Sequence, residues 1–211
     1  MPHHVMQRGN RRMRTFLRDA DYNAYLGLMA EWCTKHQVGV WAYCLMPNHV
    51  HLIAVPETIE GLGRAIGEAH RRYTRLINSR EGWRGYLWQG RFASFLMDED
   101  HLLTAMRYVE LNPVRAGLVS APDQWPWSSA RAHLTGQDDP LVRAQTMVEY
   151  VGDWKRYLAL DISEEELLRF RQHTRTGRPL GSATFIASIE ERLDRFLRKR
   201  KPGPKGPMKE N

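Results

Sequence analysis

The chain has 211 residues and a net charge of +7, long enough for one buried domain with an appendage but short for two. Apolar residues make up 42% and there are seven Trp, which excludes a disordered chain, while the basic balance points to a polyanion such as nucleic acid. Cys33 and Cys44 are the only cysteines, too few for a disulfide framework or a cysteine metal knuckle, and neither an apolar leader nor a membrane-length run occurs. A soluble, cytoplasmic protein with no membrane and no obligate protein partner is expected.

His3 to Gly9 reads as a first strand stopped by a Gly-Asn turn, which leads into a basic loop at Arg11, Arg12 and Arg14. From Asp19, the expected N-cap, to about His36, Tyr22, Tyr25, Leu26, Met29 and Trp32 recur at helical spacing. Val38–Met46 and His49–Val55 are strand-like runs joined by Pro47-Asn48, a connection short enough to force antiparallel pairing. Thr58 to Asn78 forms a second helix, Trp88 to Met97 a fourth strand, and Asp98 to Leu111 a third helix that the Asn112-Pro113 step should end.

Strand, helix, strand, strand, helix, strand, helix is the ferredoxin-like order. The expected class is α+β, with an antiparallel sheet and the helices packed on one face. That unit spans 1–121. A C-terminal helical extension follows over 122–199, opening on Trp125-Pro126-Trp127, broken at Gly177–Gly181 and ending in a helix from Ser182 to about Arg200. A basic Pro/Gly tail at 200–211 is expected to be disordered when free.

Two short patterns carry chemistry. In Pro47-Asn48-His49-Val50-His51-Leu52, positions i and i+2 of a strand share a face, so His49 and His51 project together and can chelate one divalent cation. A single His-x-His is a weak signal, and by itself is more often a pair of ordinary polar strand residues hydrogen-bonded at the sheet surface. In Arg107-Tyr108-Val109-Glu110-Leu111-Asn112-Pro113, helical period stacks Tyr108 over Asn112 at the border of the apolar stripe and turns Glu110 away from them. A helical tyrosine is most often a packing residue. His70 and His101 read as satisfied structural histidines.

Taken together, these patterns resemble the HUH single-strand nucleases, and within them the REP-associated tyrosine transposases, relatives of the small insertion-sequence transposases that use one tyrosine. The matching stretches are His3–Asn10, Ala42–Leu52, Leu87–Phe92, Arg107–Gly117, Trp125–Ser129 and Gly177–Gly181, in the family's order and spacing. The resemblance implies that Tyr108 is the nucleophile, that His49 and His51 hold the metal, and that Asn112 supplies a third ligand where more distant relatives carry glutamine. It implies magnesium or manganese. By ligand softness alone, two imidazoles and an amide suit manganese or zinc better. The implied substrate is single-stranded, hairpin-bearing DNA, cleaved and rejoined through a 5′-phosphotyrosine by a monomer or homodimer. A domesticated, non-catalytic hairpin-binding protein of the same fold is the alternative.

Arg64, Arg71 and Arg75 fall on one stripe of the second helix, opposite Leu62, Ile66 and Tyr73, and could follow a phosphate backbone. Glu68 lies among them, so a salt-bridged solvated face reads equally well. Arg8, Arg11, Arg12 and Arg91 are further candidates for DNA contact. The basic C-terminal segment from Arg192 to Lys205 could add unspecific attraction or serve only solubility.

Overall fold

A computed structural model describes residues 1–198. Four strands, β1 (His3–Arg8), β2 (Val38–Met46), β3 (His49–Pro56) and β4 (Ala93–Leu96), form one sheet in the order β2-β3-β1-β4. Every pairing is antiparallel. Pro47-Asn48 joins β2 to β3 directly. Helices α1 (Asp19–Lys35) and α2 (Gly61–Glu81) make the two crossovers that leave β1 between β3 and β4. This is the α+β antiparallel arrangement read from the sequence.

Strand parity decides which side chains meet which helices. Val5, Val50 and Leu52 point to one face, where they pack with Tyr25, Met29, Ile66 and Tyr73 of α1 and α2. Ile53 and Phe95 point to the other. There they meet Leu102, Met106 and Val109 of α3 (Glu99–Glu110), together with residues from later in the chain. The expectation that all helices share one face is therefore corrected: α1 and α2 do, and α3 covers the opposite side. The reason is that β2 and β3 are apolar on both sides, so neither face can be left to water.

Several boundaries also shift. Asp19 does not cap α1. The Asp21 carboxylate reaches back to accept from the Leu17 and Arg18 amides at 2.9 and 3.2 Å and also pairs with Arg80 at the end of α2. β4 starts only at Ala93, because Gly90 with φ 68° turns the chain, and Trp88 keeps just one bridge to Gly9. α3 does end at Glu110, just before the Asn112-Pro113 step, and Pro113 opens a new turn, α4 (Asn112–Arg115), at a position whose N–H would have no partner anyway.

The extension contributes α5 (Ala130–Thr135), α6 (Ala144–Val151), α7 (Trp154–Leu158), α8 (Glu164–Thr176) and α9 (Ala183–Leu193). Met147, Trp154, Tyr157, Leu167 and Phe170 from these helices pack into the α3 side of the core. Leu180 donates to the Leu96 carbonyl at 2.8 Å and accepts from Asp98 N at 3.2 Å, so the Gly177–Gly181 segment closes over the β4 edge. A Cβ at Gly181 would run into the Phe185 ring and stand 2.7 Å from the Asp98 carboxylate, so those side chains would have to move. α9 ends near Leu193 instead of Arg200. Asp194 turns left-handed with φ 46°, and the Glu190 carboxylate accepts from Leu197 and Arg198. The tail expected at 200–211 lies outside the described residues. Among those described, no helix is long and apolar enough to cross a membrane, and both cysteines are buried and free.

Candidate active site

The histidine pair and the tyrosine, 57 residues apart or more, meet on the α3 face of the sheet. Alternation along β3 sends Val50 and Leu52 into the α1/α2 core and leaves His49 and His51 on the other face. Their rings stand edge to face with centroids 4.9 Å apart. The Tyr108 ring, carried by α3, lies 5.7 Å from His51 at 88°. Phe170 of α8 stacks on the phenol at 5.2 Å, and the Arg115 guanidinium sits 4.3 Å over the ring. Arg115 also donates to the Tyr108 carbonyl at 3.2 Å, which fixes it one helical turn beyond the end of α3. Tyr108 is only 7% exposed, and its hydroxyl has no hydrogen-bond partner among the described residues.

Each imidazole has a partner on Nδ1. His49 Nδ1 is 2.7 Å from the Asn48 side-chain oxygen, and His51 Nδ1 is 3.0 Å from His4 Nε2. Each Nε2 is thus left without a hydrogen bond among the described residues. Burial, helped by the Arg8 charge, pushes His49 down to about 4. Burial also drives His51 well below its ordinary value, with His49, His4 and Arg8 adding to the effect. At neutral pH both rings are neutral, which is the form that coordinates.

The chemistry of the donor set limits what could sit there. Among the described residues no group of three or more His, Cys, Asp or Glu is placed to hold a metal. A cation on the two imidazoles would need its other donors from an amide, from water or from a phosphate. Asn112, 7% exposed with its side-chain nitrogen buried and unpaired, is held near the end of the tyrosine helix. The structure shows no contact between it and the histidines.

Residues 1–112 match the family model "Transposase IS200 like". The chain belongs to the IS200-like transposase family. A Haemophilus influenzae protein named "Putative REP-associated tyrosine transposase" is 27% identical over 129 residues, covering 56% of this chain and 73% of that one. A solved REP-associated tyrosine transposase, bound to a REP hairpin, superposes with a TM-score of 0.55 at 19% identity, covering 66% of this chain and 83% of that one. At that identity the superposition speaks for the fold alone.

Of the arginines expected to touch DNA, this IS200-like transposase brings one to the histidines. Arg8 ends β1 opposite His49 and has a buried, unpaired Nε. Arg11 and Arg12 lie exposed in a short 3-10 turn, both with positive φ. Arg64, Arg71 and Arg75 are on α2, across the sheet from the histidines. Arg64 pairs with Glu60, and Arg71 is bound by the Glu68 carboxylate at 2.6 Å, so the salt-bridged reading of that stripe holds for those two. Arg71 and Arg91 line a groove of about 710 Å³ between α2 and the Tyr86–Phe92 loop, with Gly63 and Gly67 in its wall.

Sequence reasoning missed His4, Phe95, Arg115 and Phe170 around the tyrosine. Arg115 was within reach, since it stands seven residues, two helical turns, after Tyr108. His4 needed the register of β1 against β3. For Phe170 no local signal exists. His70 and His101 are satisfied as expected, by the Tyr25 hydroxyl at 2.8 Å and the Asp98 carboxylate at 2.6 Å.

Proposed function

We propose that the chain cleaves and rejoins single-stranded, hairpin-bearing DNA through a covalent bond between Tyr108 and a 5′ phosphate. The observation that carries this is the 5.7 Å approach of the Tyr108 ring to His51, beside His49, on one face of the sheet. Family membership supports the reaction class, and the hairpin bound by the solved relative supports the substrate.

In this reading the Tyr108 oxygen attacks phosphorus, the new O–P bond replaces the bond to the 3′ oxygen, and the phenolic proton passes to solvent. The 3′ hydroxyl is the leaving group. Attack by another 3′ hydroxyl reverses the step and frees the tyrosine, so one phosphodiester is exchanged for another without ATP. His49 and His51 would hold magnesium or manganese, with Asn112 as a third donor, and the bound ion would polarise the scissile phosphate. Phe170 and Arg115 both pack on the phenol and limit its movement. Arg8 offers an unpaired guanidinium N–H to the phosphate beside the histidines.

Arg75, Arg91, Arg11 and Arg12, exposed at the surface, would attract the flanking strand unspecifically. Incubation with a set of single-stranded hairpins and manganese, scored on a denaturing gel, tests the reading. Wild type should form covalent adducts, and Tyr108→Phe should form none while still shifting hairpin DNA. Adducts from the phenylalanine variant would refute the assignment. Hairpin shifts with no adduct from wild type under any divalent metal would favour the non-catalytic alternative.

A further inference from the structure

We propose that His4 is a positioning residue that holds His51 in the tautomer whose Nε2 lone pair is free for a cation. The inference rests on reading His49 and His51 as metal ligands, and it concerns a residue to which neither that reading nor any motif gives a part.

A buried hydrogen bond between two imidazoles joins the strands. His4 Nε2 lies 3.0 Å from His51 Nδ1, the rings are within 13° of parallel, and the residues are 1% and 4% exposed. Met6, not His4, is the direct partner of His51 in the β1–β3 ladder, so His4 reaches it diagonally. The His4 ring cannot swing away. Phe95 meets it edge-on at 5.0 Å and Tyr108 at 6.2 Å.

One proton lies between the two nitrogens, and there are two places for it. If His4 Nε2 carries it, neutral His51 has its own proton on Nε2 and has no lone pair there to offer. If His51 Nδ1 carries it, His4 is the acceptor and His51 Nε2 is open. Only the second arrangement lets His51 coordinate as a neutral ring. His4 Nδ1 is buried without a partner, so the second arrangement leaves an unpaired N–H there and the first only an unpaired lone pair; His4 by itself does not favour the second. A cation at His51 Nε2 would decide it, provided that an acceptor waits at Nδ1.

His49 shows the same device built differently. Its Nδ1 is 2.7 Å from the Asn48 carboxamide oxygen, which can only accept, so the proton belongs on Nδ1 and Nε2 is free. Both imidazoles therefore have an orienting partner on Nδ1: a sequence neighbour for His49, a residue 47 positions away for His51. Removing such a partner commonly weakens metal binding ten- to hundred-fold, roughly, because the ligand loses its orientation and leaves a buried N–H unpaired.

The test measures manganese affinity by electron paramagnetic resonance and ring protonation by long-range ¹H–¹⁵N correlation in the magnesium-loaded protein. In wild type the His51 proton should be on Nδ1 and His4 Nε2 should be bare. His4→Phe keeps an aromatic ring but no acceptor and should weaken manganese binding by about ten-fold or more. His4→Gln places an amide near the old Nε2 and should restore most of it. Wild-type affinity in a folded His4→Phe, or a His51 proton on Nε2 in the magnesium-loaded wild type, overturns the role of His4 and leaves the metal reading standing. Failure of wild type itself to bind manganese removes both.

Discussion

At the scale of single residues, the tyrosine helix is held by a carboxylate on its opposite side. Glu110 points away from Tyr108, as helical geometry requires, and is fully buried. One oxygen is 2.6 Å from both Ser129 Oγ and His133 Nδ1, and the other accepts from Trp154 Nε1 at 2.9 Å. Two separate stretches of the extension, α5 with its N-cap and α7, thus converge on one group of α3. Removing the carboxylate from this buried cluster leaves three donors unpaired, a loss of about 3 kcal/mol or more. Glu110→Ala should show that loss in urea unfolding, and Glu110→Gln a smaller one. A change below about 1 kcal/mol for the alanine variant would mean that Glu110 does not anchor the helix.

At the scale of elements, what the sequence shows depends on how local the cause is. β2 and β3 are legible because a Pro-Asn turn separates two strand-like runs, and the His49-x-His51 face follows from the alternation of one strand. The placement of α3 across the sheet from α1 and α2 also had a signal. Val38–Met46 is nearly unbroken apolar sequence, which marks a strand covered on both faces. β4 is overestimated because Trp88, Phe92 and Phe95 have strand propensity, whereas Gly90 spends it on a turn. The covering of Tyr108 by Phe170 was illegible for a plain reason. It joins residues 62 positions apart through a helix whose apolar side could have faced any surface. The same holds for His4, whose part depends on register and not on its neighbours in sequence.

At the scale of the molecule, buried neutral histidines link the fold to pH. Burial pushes His70 down to about 3, beneath α1 and α2, and far from the proposed metal ligands. The unfolded chain takes up that proton near pH 6.5 and the folded chain does not. Stability is therefore complete above pH 6.5 and is lost as the pH falls from there toward 3. At pH 5 the loss for His70 alone is about 2 kcal/mol. Thermal melts followed by circular dichroism should show a midpoint several degrees lower at pH 5 than at pH 7.5, and a smaller drop for His70→Gln. Equal midpoints at the two pH values in wild type would contradict the burial of a neutral ring there.

The covalent bond itself offers the most direct measurement. Trypsin cuts after Arg107 and Arg115, so Tyr108 is released in the peptide Tyr108–Arg115, which holds no other tyrosine. After reaction with a hairpin substrate and nuclease trimming, tandem mass spectrometry of that peptide should find a nucleotide joined through its 5′ phosphate to Tyr108. The same mass increment on Tyr157, Tyr150 or any other side chain, with Tyr108 unmodified, would contradict the account.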